Sequence, residues 1–248
     1  MKKIIFSVCS VLVALSILIG FLAHRSFTDI INSTNKTQSA IAYDSLDWVS
    51  NEYLVEEITK AAESLDNCEL IAIVDFSGER LYEHLSTKAS VAVQNILKGD
   101  KSLENTKIYL YEPCYYYFDA LDNSLRYMPV SSFTLMNSGE KYLIFADKVE
   151  YSDNKPKYIS NNTYIFHNEN LPYVCIENGK ALSAEKCNFP LLFEDIEQYE
   201  FVCENNKEAQ KIKSIKMDIL NKYIPKGYSV NTVSRRNGFI KFNNIFFS

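Results

Sequence analysis

Between Met1-Lys2-Lys3 and His24-Arg25 lie twenty residues, Ile4 to Ala23, without a single charge. At about 1.5 Å per residue, a helix of that length matches the roughly 30 Å hydrocarbon core of a bilayer. A cleaved signal peptide has a shorter apolar core and small residues before its cut. Cleavage after Ala23 would leave bulky Phe21 in that place. Cys9 lies inside the run, after Phe6-Ser7-Val8, and so is not a lipoprotein acceptor. Segment 4–23 therefore reads as an uncleaved transmembrane anchor. Lys2, Lys3 and the amino group outweigh Arg25, which puts the amino end in the cytoplasm and residues 26–248 outside it. The expected location is the cell membrane, crossed once.

The 248 residues suffice for one or two domains, and 47% apolar with 23% charged residues excludes a collagen-like or wholly disordered chain. Seven glycines serve the whole chain, no two closer than the 11 positions between Gly227 and Gly238. Loops that cradle phosphates need glycines packed within a few residues, so Rossmann and P-loop signatures are absent. Charge is divided unevenly: residues 205–248 carry net +7 and residues 1–204 net −12. The acidic larger part, placed outside the cytoplasm, argues against nucleic acid as a partner.

Residues 26–43 are polar and read as a juxtamembrane linker. Helix signals follow from Asp44: Ser50 can cap, and Leu54, Ile58, Ala61 and Leu65 recur at helical spacing. From Glu69 the period changes, and Glu69 to Val74 (ELIAIV) is β-rich. Strands are predicted over 69–74, 90–97, 107–111, 141–146 and 164–166, with turns at Phe76-Ser77-Gly78-Glu79 and Lys98-Gly99-Asp100. Tyr173 to Leu182 reads as a hairpin about Asn178-Gly179. Strands without helices between them argue for an antiparallel barrel or sandwich. Beyond Phe189-Pro190 comes an acidic connector, then a basic helix capped by Asn205 or Asn206 and stopped by Pro225 and Gly227. Ile212, Ile215, Ile219 and Tyr223 form its apolar face, with Lys207, Lys211, Lys213, Lys216 and Lys222 around the rest. A last hairpin about Asn237-Gly238 is predicted near the carboxy terminus. The resulting division is anchor 4–23, linker 26–43, a helix-plus-barrel domain 44–189, and a connector with basic helical appendage 190–248.

Three stretches, ELIAIVD (69–75), VAVQNILKGD (91–100) and GEKYLIF (139–145), resemble the netrin-like or TIMP-like OB-fold modules. Bacterial members pair a V-x-V-x-x-x-L-K-G-D strand end with a later G-E-x-Y-L-I-F strand, and a helix precedes the first strand. The resemblance spans roughly residues 50–182 and implies a five-stranded, partly open Greek-key barrel. It implies no inhibitory activity. Metalloproteinase inhibitors of that family grip zinc through the free amine of an amino-terminal cysteine, whereas Cys68 lies mid-chain. A cysteine common just before the G-E-x-Y strand is also replaced, since Asn137 and Ser138 stand there. The expected fold class is mainly β with flanking helices (α+β). An OB-type antiparallel β-barrel follows the transmembrane helix and precedes the basic helix.

Chemistry-bearing patterns are sparse. His24, His84 and His167 occur without H-x-x-x-H, H-E-x-x-H or G-x-S-x-G, so no catalytic residue and no metal site is assigned. No cofactor is expected. Five cysteines lie beyond the anchor, without zinc-type spacing. Cys175 and Cys187, flanking the Asn178-Gly179 turn, are the first choice for a disulfide; otherwise these cysteines serve as small buried apolar residues. The densest aromatic stretch is YLYEPCYYYF (109–118). Pro113 breaks a ladder there, and Tyr111, Tyr115 and Tyr117 are the candidate ligand-stacking residues. The competing reading makes the same tyrosines the cover of a small barrel core, with their hydroxyls reaching water.

Two function classes follow. The first is a non-enzymatic, membrane-tethered, extracytoplasmic binding module for a protein or envelope polymer, its oligomeric state left open. The second is a cell-envelope hydrolase whose catalytic residues converge only in the fold. It requires His84 or His167 to stand within about 3 Å of a partner group.

Overall fold

The computed structural model describes residues 10–20, 39–49, 53–83, 86–121, 124–150, 162–177, 179–225, 232–236 and 239–243. Residues 10–20, inside the expected anchor, are helical, and the rest of that segment lies outside the described residues. Among the described residues no helix is long and apolar enough to cross a membrane. The expected linker ends in structure, because Ile41–Tyr43 forms strand β1. Ser50, the expected cap, lies outside the described residues. Helix α1 (Leu54–Ser64) starts after Tyr53 and buries Leu54, Ile58 and Ala61, the stripe its spacing predicts.

A closed five-stranded barrel follows. Its strands are β2 (Leu70–Glu83), β3 (Ser86–Lys98), β4 (Lys107–Glu112), β7 (Lys141–Lys148) and β8 (Thr163–Phe166). They close in the order β2-β3-β4-β8-β7 and back to β2. Every pair is antiparallel except β4 with β8. Length makes closure possible: the first six residues of β2 pair with β7 on one edge while β3 runs the length of the other. The turn expected at Phe76–Glu79 is instead a bulge within β2. The β2–β3 register shifts between Phe76 and Arg80, and Gly78 takes φ +97° there, a backbone region open to glycine. Leu70, Ile71, Ile73, Val91, Val93, Leu143 and Phe145, all from strand runs predicted by the sequence, are at most 3% exposed. Strands β2 and β7 bury consecutive residues, Ile71 to Val74 and Tyr142 to Ala146, because helices cover the barrel's outer face.

Between β4 and β7 the chain leaves the barrel. Pro113 ends the β4 ladder, and β5 (Cys114–Asp119) pairs with β6 (Ser124–Pro129) in a second sheet. That sheet continues through β1 to β11 (Leu191–Leu192), in the order β11-β1-β6-β5. It covers its own core, in which Tyr116, Tyr127 and Phe193 meet with ring centroids 4.9 to 5.7 Å apart.

The hairpin expected over Tyr173 to Leu182 does not form. Strand β9 (Tyr173–Cys175) pairs with β7, and β10 (Ala181–Ser183) pairs in parallel with β12 (Phe201–Cys203). Asn178 itself lies outside the described residues. A short helix α2 (Phe193–Ile196) precedes β12. Helix α3 (Asn206–Tyr223) is capped as expected: the Asn205 side chain accepts from the amides of Lys207 and Glu208, each at 3.1 Å. It is no appendage. Ile212 and Ile219 belong to the barrel's core, and Tyr223 packs edge-on against Phe145 at 5.2 Å. Strands β13 (Thr232–Arg236) and β14 (Phe239–Asn243) pair antiparallel, and the Asn237-Gly238 turn between them lies outside the described residues.

Candidate functional site

A cavity of about 350 Å³ opens between the second sheet, α1 and the turn before β9. One wall is the end of β1 and a single helical turn, Leu46–Trp48. That turn is closed by hydrogen bonds from the Trp48 amide to Ser45 O (3.2 Å) and from the Val49 amide to Leu46 O (2.9 Å). Its geometry sends Val49 inward, 5% exposed, and leaves Trp48 63% exposed at the rim. Residues 128–132, leaving β6, form the opposite wall, where the Val130 amide donates to Pro113 O at 2.8 Å. Leu54 and Glu57 contribute from α1, Glu169 and Asn170 from the turn before β9. The Asn168 side chain accepts from the Asn170 amide at 2.9 Å and fixes that turn.

The exposed lining is more polar than apolar, with Ser131, Ser132, Asn170 and the carboxylates of Glu57 and Glu169 beside Met128, Pro129 and Val130. Among the described residues that line it, no side chain is cationic. Tyr43, also in the wall, is buried, and desolvation pushes its hydroxyl well above the usual phenol range. The arrangement fits an amphipathic ligand, neutral or positive, better than an anion.

The expected tyrosine platform is only partly assembled. Tyr115 and Tyr117 share one face of β5, half-buried, with ring centroids 6.2 Å apart and planes inclined at 50°. Tyr111 stands on β4, in the barrel, where the Lys88 ammonium lies 5.6 Å from its ring centre. The Pro113 break thus divides the triad between two sheets. Tyr115 does reach the cavity's neighbourhood: it stands opposite Met128 across the β5–β6 ladder, on the same face as a lining residue. Tyr116, between the two, points inward and is 2% exposed.

Cys175 and Cys187 are separate thiols, as are Cys68, Cys114 and Cys203. The bridge was expected from a hairpin that does not exist. With β9 bonded to β7 and β10 to β12, the chain does not fold back to face one cysteine with the other. Burial raises the Cys68 and Cys203 thiols to about 11, so both stay protonated near neutrality.

Of the histidines, His84 lies outside the described residues. His167 meets the distance required of a catalytic imidazole, its Nδ1 lying 2.7 Å from Asp147 Oδ2. The other Asp147 oxygen accepts from the Glu69 amide at 2.9 Å, which anchors the carboxylate. Such a pair orients an imidazole, and catalysis further needs a nucleophile at the second ring nitrogen. Cys68, whose thiol feels the Asp147 charge, is fully buried and protonated.

Trp48 escaped the sequence reading because the segment around it carries helix signals. Its signal was available: it is the sole tryptophan, set among polar residues ahead of an amphipathic helix. Comparison with protein-family models and with curated proteins finds no match.

Proposed function

We propose that the chain is a membrane-tethered, extracytoplasmic binding module, with an OB-type barrel as scaffold and the Trp48 cavity as ligand site. The single observation that carries this reading is the cavity: a concave site of about 350 Å³ whose exposed lining is more polar than apolar, with two carboxylates, two hydroxyls and an amide converging beside an exposed indole. The OB assignment is supported by five strands closing in Greek-key order with one parallel pair, behind a leading helix, together with the netrin-like or TIMP-like motifs. Tethering is supported by the twenty uncharged residues Ile4 to Ala23 and the lysines before them. Fold analogy contributes nothing to the identity of the ligand.

Two measurements test it. Protease added to intact cells stripped of their wall should digest residues 26–248, and full protection there would reject the placement. Full-length protein titrated with envelope polymers and secreted peptides should bind saturably, and Val130→Arg, which projects a long side chain from a half-exposed lining position, should abolish binding without unfolding the chain. The hydrolase alternative rests on the Asp147–His167 pair. It gains if a polymer is turned over and His167→Ala, not Val130→Arg, stops the turnover.

A further inference from the structure

We propose that the Trp48 cavity selects a cationic side chain, the ammonium of lysine or guanidinium of arginine presented by a peptide. The inference rests on the binding reading above and assigns the ligand's chemical class. Its first support is the sign of the lining: the charged side chains in the wall are Glu57 on α1 and Glu169 on the facing turn, Tyr43 staying neutral. Two carboxylates on different elements, across one opening, set a negative potential inside it, and low-dielectric walls focus that field.

The second support is the indole. Trp48 is 63% exposed although it lines a cavity, so its ring is available to a ligand. Tryptophan is the strongest of the aromatic partners for a cation, and the gain grows as the cation sheds water in a partly enclosed site. Third, the remaining wall suits the stem that carries the charge. Met128, Pro129 and the half-exposed Val130 offer apolar surface to methylenes, while Ser131 and Asn170 can accept from an ammonium or guanidinium. Size agrees with a side chain rather than a larger body, since about 350 Å³ lies at the small end of ligand cavities, which run from about 300 to 1,000 Å³. The net −12 of residues 1–204 adds attraction at longer range.

Trp48 is also the reporter, because no other tryptophan contributes to the emission. The full-length chain is titrated with three capped tripeptides, Gly-X-Gly, in which X is lysine, norleucine or glutamate. Expected is a saturable shift of Trp48 emission with the lysine peptide, at least tenfold tighter than with norleucine, weakened by added salt, and none with glutamate. Glu57→Gln with Glu169→Gln should erase the difference between lysine and norleucine. Should that pair disturb the fold, Glu169→Lys alone, at an exposed position, should repel the lysine peptide by a similar factor. Equal binding of lysine and norleucine overturns charge selection and leaves the binding module standing. Silence with all three peptides, in emission and in calorimetry, overturns the cation proposal and removes this cavity as the module's site.

Discussion

Lys216 shows how one residue can contradict the pattern it sits in. Read from the sequence, it belongs with the solvated lysines of a basic helix; in the fold it is 5% exposed. Its position was legible, since 216 falls on the stripe of Ile212, Ile219 and Tyr223 at helical spacing. The partner was not, because Glu200 comes from another segment, at the entrance to β12. The Lys216 ammonium donates to Glu200 and lies 5.4 Å from the centre of the Phe201 ring. Glu200 also accepts from the Cys175 amide at 2.8 Å, so the pair fastens α3 to β9, the strand that pairs with β7 outside the barrel's closure. Gly179 borders it so closely that a Cβ there would collide with the Glu200 carboxylate, a reason for glycine that has nothing to do with a hairpin turn. Burial pushes the Glu200 carboxyl above its usual range, against the opposing pull of the ammonium and the amide. Removing one partner strands a buried charge. Lys216→Met should cost about 3–5 kcal/mol near neutrality, while Lys216→Met with Glu200→Leu should come close to wild type. The pH dependence has a definite sign. A carboxyl whose folded pKa is raised contributes stability that is complete below its unfolded pKa and lost as pH rises through the folded value. Lys216→Met, lacking the cation that restrains this rise, should therefore regain stability between about pH 7 and pH 5, measured by urea denaturation, and the double variant should not. A single variant with a flat profile would mean that Glu200 reaches water.

At the scale of elements, the sequence marked the barrel strands well, the strands of the second sheet not at all, and strand continuity poorly. The β3 and β4 ladders lie where alternation places them, because side chains of period two must face a core, and β2 and β7 lie where short β-rich apolar runs do. The Phe76–Glu79 stretch reads as a turn because glycine beside serine is ordinary turn chemistry, yet the same residues make a bulge when the partner strand runs on past them. Local sequence does not record whether a partner is there. The same limit explains the missing 173–182 hairpin: β9 and β10 both find distant partners, β7 and β12, and Asn-Gly chemistry is overridden by pairing the chain supplies elsewhere. Helix α3 is the opposite case, since its start depends on local groups alone. Asn205→Ala removes the acceptor of two orphan amides and should lower stability by about 1 kcal/mol, with Asn205→Gly costing only about a few tenths of a kcal/mol. Thermal and urea denaturation of the three proteins check it, and an unchanged Asn205→Ala midpoint would mean that packing on the barrel, not the cap, fixes the start of α3.

Taken as a whole, the molecule is two cores served by one chain that leaves the barrel after β4 and returns at β7, and sequence periodicity carries no sign of this. Pro113 marks the exit, but the return depends on a carboxylate meeting groups far along the chain. Glu112, the last residue of β4, has a fully buried side chain and is held by Arg80 through Nε at 2.6 Å and Nη2 at 2.9 Å. The same carboxylate accepts from the Met136 amide at 3.0 Å, and Arg80 donates to Met136 O. Met136 lies on the returning segment, so one bidentate pair holds the exit, the return and β2 beyond its bulge. The Arg80 guanidinium also stacks 4.2 Å over Phe76, and the neighbouring carboxylate keeps it protonated at any ordinary pH. Such a junction should make the two cores unfold together, because it ties the second sheet's entry and exit to the barrel. Glu112→Gln keeps the shape and one acceptor but leaves Arg80 without its counter-ion, at a cost of about 3–5 kcal/mol if the site cannot open to water. Its more particular consequence is loss of coincidence. In wild type, Trp48 fluorescence, reporting the turn beside the second sheet, and far-ultraviolet circular dichroism, dominated by the barrel and helices, should trace one urea transition. In Glu112→Gln the fluorescence transition should come first and the two curves should separate. If they shift by the same amount and remain superimposed, the cores are coupled through packing alone, and the Arg80–Glu112 pair is one stabilising contact among many rather than the junction between them.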